Sequence, residues 1–304
     1  MELVRLILSM GLPCSLLALG IFLSFRILDF ADMTAEGSLL IGGVTCVVMI
    51  IYHVPPAFAT IVGMLAGGVC GLITGCLNRL LKIPKLLSGI ITMTASGSIA
   101  ALLFGLSQGE LFSSETPDLS VNQTIFAFMS PKIFHGWQHV ILVGVIVIAV
   151  LALAYFFFGT EYGMAIRTTG INERMAKSQG INTTVTTIVC ISISNALIGL
   201  AGALMSQIEL GMKAVSATGY LIVGIASILI GETVFGRRSF KNTLISITLG
   251  SILYFTVFCF ASEVFHIRDE LNKLLYAILI TLALCMPMIK KQVKKWFTRK
   301  KEVA

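Results

Sequence analysis

Nine long apolar runs, separated by short polar segments, dominate this chain. A helix needs about 20 predominantly apolar residues to cross a bilayer, and the runs approach or exceed that length. They are continuous rather than alternating, which favours an all-α polytopic membrane protein over a transmembrane barrel. The predicted spans are 4–25, 34–52, 56–77, 84–107, 137–159, 183–206, 218–236, 241–261 and 271–289.

Composition agrees with a membrane protein and argues against two other classes. The 304 residues are 56% hydrophobic and 12% charged, about half the charge fraction of a soluble domain. The net charge of +7 comes from Lys and Arg in short loops between the runs, which indicates membrane topology rather than nucleic-acid binding. The seven cysteines lie in apolar segments, and the four histidines show no metal-ligand spacing. We therefore expect no metal and no cofactor in this chain.

The distribution of Lys and Arg predicts the orientation of the spans. Seventeen of these residues fall on one side of the predicted membrane and five on the other. Because basic loops are retained in the cytoplasm, the first side is predicted to be cytoplasmic. Nine crossings then place the N-terminus outside and the C-terminus inside. Residues 1–289 would form the transmembrane domain, and 290–304 a basic cytoplasmic tail.

A polar island at 163–180 interrupts the apolar pattern on the cytoplasmic side. Asn172 suits a helix N-cap, Glu173 the first turn and Gly180 the C-terminal cap, so a short helix is predicted at about 170–180. This helix would dock a soluble partner that drives transport; the alternative is an ordinary loop with solvated charges. The residues predicted to serve the docking are Arg167, Gly170, Asn172, Glu173, Arg174, Ala176, Lys177 and Gly180.

Glycines recur every four residues in the third run, at Gly63, Gly67, Gly71 and Gly75. This spacing lays a flat groove along one helix face and lets another backbone approach closely. Tight helix packing is the preferred interpretation, and lining of a pore is the alternative.

A weak internal repeat relates two distant segments. Residues 34–42 and 216–224 share a hydroxyl, Ala, Gly, Leu and Gly in register. The first copy would run outward and the second inward, as an inverted repeat requires, and such repeats place a substrate path at their interface. Chance similarity between glycine-rich helices is the alternative.

Three acids, Asp29, Asp32 and Glu36, lie between the first two runs at spacings of three and four, which predicts one helix face. Charges within a bilayer face a cavity or a partner, so these acids would line the interior. The alternative is a solvated cytoplasmic turn in which Arg26 pairs with Asp29. Residues Thr34, Glu36 and Gly37 would mark a helix interruption. The predicted translocation path comprises Asp29, Asp32, Thr34, Glu36, Ser88, Thr92, Ser96 and Thr218.

The longest outer loop, 108–136, carries three acids and leaves two interpretations open. It could receive a binding protein, or it could form a surface segment that covers the bundle.

Three segments together resemble a known family. Residues 27–38 contain the sequence Leu-Asp-Phe-Ala-Asp-Met-Thr. They are similar to the signature after the first core span of branched-chain amino acid and monosaccharide-type permeases of ABC importers. The polar island resembles the coupling segment of that family, and 194–204 resembles the small-residue helix that follows it. Within the family, the sequence of residues 28–34 looks closest to that of permeases linked to tryptophan or tyrosine uptake.

The resemblance implies a type II-like importer fold in a bacterial cytoplasmic membrane. Two permease copies, as a homodimer, would line a central path for a small solute such as an amino acid. ATP-binding subunits holding ATP and Mg²⁺ would dock on the coupling helices, and an extracytoplasmic binding protein would deliver substrate. The chain contains no GxxxxGK[ST] loop, so ATP hydrolysis is expected in the partner and not here. The alternative is a stand-alone secondary transporter that uses the acids at 29, 32 and 36 for ion coupling.

Overall fold

The structure is a computed structural model that describes residues 2–109, 113, 118–120, 123–128, 137–213, 217–237, 239–265, 274–275, 277–278 and 281. Within these residues the structure has helices and no β-strand, which confirms the all-α prediction. They are α1 Glu2–Ile21, α2 Thr34–Ile51, α3 Pro56–Arg79, α4 Lys85–Gln108, α5 Gln138–Gly159, α6 Glu161–Ile171, α7 Glu173–Ser178, α8 Thr183–Ile208, α9 Tyr220–Phe235 and α10 Phe240–Phe265. A π-helix, Phe22–Ile27, extends α1.

Seven of these helices are long and apolar enough to cross a membrane: α1 with its π-helical extension, α2, α3, α4, α5, α8 and α10. The helix α9 is apolar but has only 16 residues. Eight of the nine predicted spans thus coincide with helices. The ninth, 271–289, lies almost wholly outside the described residues, and the tail 290–304 lies entirely outside them. The total number of crossings and the orientation of the termini stay predictions.

The centre of the bundle is formed by α2, α3 and α8, which pack at backbone distance. A Cβ atom on Gly67 would lie 2.7 Å from the Cα atom of Gly199, and one on Gly71 would lie 2.7 Å from the Cβ atom of Asn195. Gly75 also faces α8, whereas Gly63 lies between α2 and α8, so the whole glycine stripe of α3 is used in close packing. Small residues permit such an approach, and dispersion contacts between the backbones stabilise it.

The chain breaks its helical path between α1 and α2. Residues 28–33 are not helical, and Asp29 has a positive φ of 52°. The prediction that the three acids share one helix face is therefore wrong: only Glu36 is helical, in the first turn of α2. Local spacing could not reveal this, because the turn is stabilised by distant partners. Arg26 likewise pairs with Glu232, at 3.0 Å, and not with Asp29.

The two copies of the internal repeat meet at their starts. Gly219, with φ of 96°, precedes α9, and its backbone N–H donates to the Glu36 carboxylate at 2.9 Å. From this contact α2 runs toward the Gln207 end of α8, whereas α9 runs toward Arg26 at the opposite end. The helices α2 and α9 therefore begin at a shared junction and run in opposite directions from it.

Candidate functional site

The polar island forms two helices rather than the single helix expected. Asn172 ends α6 and caps α7, its side chain accepting the Met175 N–H at 3.1 Å, which confirms the N-cap prediction. At the other end Gly180 has φ of 79°, and the Ile181 N–H returns to the Ala176 carbonyl at 3.1 Å. This is a Schellman ending, so six residues make a helix with both ends satisfied.

The helix α6 is fixed to the bundle by three different contacts. Gly170 packs against the backbone carbonyl of Ile27, a position where no side chain fits. The Thr169 and Thr186 hydroxyls lie 3.1 Å apart, and the Arg167 guanidinium lies 4.1 Å from the centre of the Phe240 ring. Gly170 and Arg167, both predicted to serve partner docking, thus contact the protein's own helices.

The ion pairs of α7 are formed by Glu173. The Glu173 carboxylate binds Arg79 at 2.7 Å and Lys177 at 2.9 Å, and it accepts the Thr183 hydroxyl at 3.3 Å. Partial burial opposes the charge of Glu173, but the hydrogen bonds and positive charges of Arg79 and Lys177 outweigh it and lower the pKa to about 2. Glu173 is therefore ionised throughout the physiological range.

The outward side of α6 and α7 faces solvent in this chain. Asn172, Arg174, Lys177 and Gly180 are exposed, whereas Ala176 is fully buried. Two apolar side chains join this surface, Ile171 at 82% exposure and Met175 at 46%. Sequence reasoning missed them, although an isoleucine within an otherwise polar segment was an available signal. Basic and apolar groups together make a surface suited to a protein partner.

A second polar region lies inside the bundle, around Asp32, which is 3% exposed. Its carboxylate accepts the Thr34 N–H at 2.9 Å and the Asn195 amide at 2.6 Å. Asn195 in turn accepts the Ser38 hydroxyl at 2.7 Å. Within the described part of the chain, no Lys or Arg forms an ion pair with Asp32. The first turn of α2 and the Asn195 amide therefore supply the positive ends of dipoles that a buried carboxylate needs.

The predicted path residues of α4 lie between helices and do not face an open channel in this chain. Ser88, Thr92 and Ser96 are each at most 3% exposed. Thr92 accepts a hydrogen bond from Thr74 at 2.8 Å, and the Thr74 hydroxyl lies 2.7 Å from that of Thr34. This chain of hydroxyls joins α2, α3 and α4. By contrast, Asp29 and Thr218 are exposed and lie outside it.

The described pieces of the long outer loop cover the end of the bundle. Leu119 and Phe126 are buried, and the Leu119 N–H donates to the Leu210 carbonyl at 2.7 Å. The Ile125 N–H donates to the side chain of Gln207 at 2.8 Å. These contacts favour the covering role for 118–120 and 123–128. In the part of the chain that the structure describes, no group of three His, Cys, Asp or Glu side chains is placed to hold a metal.

A bundle of long apolar helices with a separately capped polar segment at one end is the architecture of a multi-pass membrane protein. The chain belongs to the family described as the permease component of the branched-chain amino acid transport system, which it matches over residues 3–284. It is thus a permease component of a transport system.

Its relatives carry several kinds of solute. The chain is 34% identical to the tyrosine transport system permease protein of Clostridioides difficile, over 95% of this chain and 92% of that one. It is 27% identical to the galactofuranose transporter permease protein of Escherichia coli, over 79% and 67%. It is 28% identical to a probable branched-chain amino acid transport permease of Methanocaldococcus jannaschii, over 76% and 72%. No solved structure matches the chain significantly.

Proposed function

We propose that this chain is the membrane-spanning subunit of an ATP-driven ABC importer in a bacterial cytoplasmic membrane. Its solute would be an amino acid, with an aromatic amino acid as the first candidate. The observation that carries this proposal is the 34% identity to a tyrosine permease along nearly the whole of both chains. The sugar and branched-chain permeases among the relatives are less similar, at 27% and 28%.

The outward surface of α6 and α7 is the proposed docking site for an ATP-binding subunit. It presents Ile171, Arg174 and Met175 to solvent, while the inward side contacts the π-helix, α3, α8 and α10. A segment that is rigid on one side and exposed on the other can transmit the motion of a partner. We place ATP and Mg²⁺ in that partner, because this sequence has no phosphate-binding loop of the GxxxxGK[ST] type.

We further propose a second copy of this chain and an extracytoplasmic binding protein as partners, with the path for the solute between the two copies. Within one chain, the hydrogen bond between Glu36 and Gly219 joins the two segments of the internal repeat. It therefore supports a repeat interface near that path. In the stand-alone alternative, the acids would couple transport to an ion. Against it, Asp32 and Glu36 already bond backbone N–H groups at helix starts.

Reconstitution into vesicles tests the proposal. Proteoliposomes would hold this chain and its ATP-binding subunit, with radiolabelled tyrosine and the binding protein outside. We expect uptake that requires ATP and stops when the ATP-binding subunit is omitted. Uptake driven by a proton or sodium gradient in vesicles that contain this chain alone would contradict the proposal and favour the alternative.

A further inference from the structure

Arg79 joins three elements at the predicted cytoplasmic end of the bundle. It is the last residue of α3, and its side chain is only 17% exposed. One terminal nitrogen of its guanidinium donates to Glu173 of α7 at 2.7 Å, and the other donates to Thr187 of α8 at 2.7 Å. From the sequence alone, Arg79 is one of the seventeen basic residues on the predicted cytoplasmic side and has no further role.

The contact between Arg79 and Glu173 differs in kind from the second ion pair of Glu173. Lys177 lies one turn along the same helix and is 61% exposed, so its pairing with Glu173 ties α7 only to itself. Among the described residues, the Arg79–Glu173 pair is the ion pair that ties α7 to a membrane-crossing helix. Because Arg79 is mostly shielded from water, its charge is poorly compensated when Glu173 moves away.

The helix that Arg79 terminates leads directly into the glycine-packed centre. Gly71 and Gly67 of α3 lie against Asn195 and Gly199 of α8 at distances that leave no room for a side chain, so the two helices are in backbone contact. Asn195 then donates to Asp32, whose other oxygen caps α2. A displacement of α7 that pulls on Arg79 is therefore delivered to α3, α8 and the start of α2 together.

We propose that Arg79 is a positioning residue that transmits movement of α7 to the α3–α8 pair. This inference rests on the proposed function, since it presumes that an ATP-binding subunit moves α7. Glu173 in this account is an internal anchor and does not dock the partner. The fork of the guanidinium is essential, because a lysine at this position can bind Glu173 but has no second arm aligned with Thr187.

The test compares Arg79→Gln with three other variants in proteoliposomes that contain the complete transporter. Uptake of tyrosine and hydrolysis of ATP are measured in the same vesicles, after assembly is confirmed by co-purification of the ATP-binding subunit. For Arg79→Gln we expect uptake per ATP to fall by about tenfold while hydrolysis changes by less than about twofold. The matched control is Lys82→Gln, which removes a basic charge from the exposed segment just after α3 and should leave the ratio unchanged.

Two further variants separate transmission from general stability. The charge exchange Arg79→Glu with Glu173→Arg should restore at least half of the lost coupling, because it rebuilds the link between α3 and α7. Arg79→Lys should also recover part of the lost coupling, because a lysine keeps the ion pair with Glu173 but leaves Thr187 without its donor. A readout on this chain alone is amide exchange in nanodiscs, where Arg79→Gln should speed exchange in 173–178 and Lys82→Gln should not.

Distinct results would overturn the inference or the proposed function. Equal losses of uptake and hydrolysis in Arg79→Gln, an unchanged uptake per ATP, or unchanged amide exchange of α7 would show that Arg79 transmits nothing. Absence of ATP-dependent uptake by the unaltered complex, with faster exchange of α7 still seen in Arg79→Gln, would instead reject the proposed function and leave the anchoring intact.

Discussion

The centre of the bundle and the proposed coupling end, α6 with α7, are stabilised by different physical means. In the centre, glycines of α2, α3 and α8 bring backbones together, and hydroxyl groups bond within their own or neighbouring helices. At the proposed coupling end, long charged side chains attach the short helix α7 to the bundle, as Arg79 does by joining it to α3 and α8.

The contrast assigns different mechanical roles to the two regions. Backbone packing has no spare space, so the centre can move only as a unit. The Lys177 ion pair reaches solvent and can break and re-form at small cost, whereas the shielded Arg79 pair keeps α7 attached, so the proposed coupling end can adjust to a partner without detaching. A transporter driven from one end needs both properties, a rigid body and an adaptable attachment.

The largest effect is expected from a side chain placed in the rigid centre. Gly67→Ala should lower the free energy of unfolding by about 3 kcal/mol, because its Cβ would lie 2.6 Å from the Asn195 carbonyl oxygen. The control is Gly97→Ala, which points into open space and should be neutral or stabilise α4 by about 0.5–1 kcal/mol. Thermal unfolding in detergent measures both. Equal melting temperatures for the two variants would refute the close-packing account.

A similar loss should follow from removing the donor to the buried acid. In Asn195→Leu the Asp32 carboxylate keeps only the Thr34 N–H, and we expect destabilisation by about 3 kcal/mol. Ser192→Ala lies one turn away on α8 and removes only a bond to its own helix, so it should stay within about 0.5 kcal/mol of the original. Denaturant unfolding in mixed micelles gives the comparison, and a tolerated Asn195→Leu would show that the cluster stabilises little.

A smaller effect is expected at the cap of α7. Asn172→Ala removes the acceptor for the Met175 N–H and should weaken α7 by about 1 kcal/mol. Asn172→Ser retains a capping oxygen and should recover most of that loss. Amide exchange of 173–178 measures the local opening, and equal rates in the two variants would mean that neighbouring contacts, rather than the cap, maintain the helix.

The smallest effect at physiological pH concerns Glu173. Because its pKa is lowered from 4.5 to about 2, the ion pairs contribute stability that is fully present above about pH 4.5 and is lost as the pH falls toward 2. The attachment of α7 should therefore not vary between pH 5 and 8. A carboxyl-carbon NMR titration should show a midpoint near 2, moving upward in Arg79→Gln. A midpoint at 4.5 in the unaltered chain would contradict the observed pairing.

Local patterns in the sequence predicted most of the fold but few of the long-range contacts. Apolar run length located eight helices, and the spacing around Asn172 and Gly180 located the ends of α7. The glycine spacing indicated close packing, although it did not identify α8 as the partner. Each of these features depends on residues within a few turns of one another.

The contacts that define the site depend on residues far apart in sequence. Glu173 binds Arg79, which is 94 positions away, and Asp32 binds Asn195, which is 163 positions away. Which residues of two packed helices meet depends on their crossing and register, which no local pattern encodes. The wrong placement of Asp29, Asp32 and Glu36 on one helix face has the same origin, because distant partners stabilise the break before α2.

The sidedness of α7 tests the central claim most directly. A single Arg174→Cys variant, in a chain whose native cysteines are replaced, would be treated with a membrane-impermeant maleimide in vesicles of known orientation. The control is Ser120→Cys in the described outer-loop segment, which is also exposed. The account predicts that the reagent labels position 174 only in inside-out vesicles and position 120 only in right-side-out vesicles. Labelling of position 174 from the outside would place α7 beyond the reach of any cytoplasmic ATP-binding subunit and contradict the account.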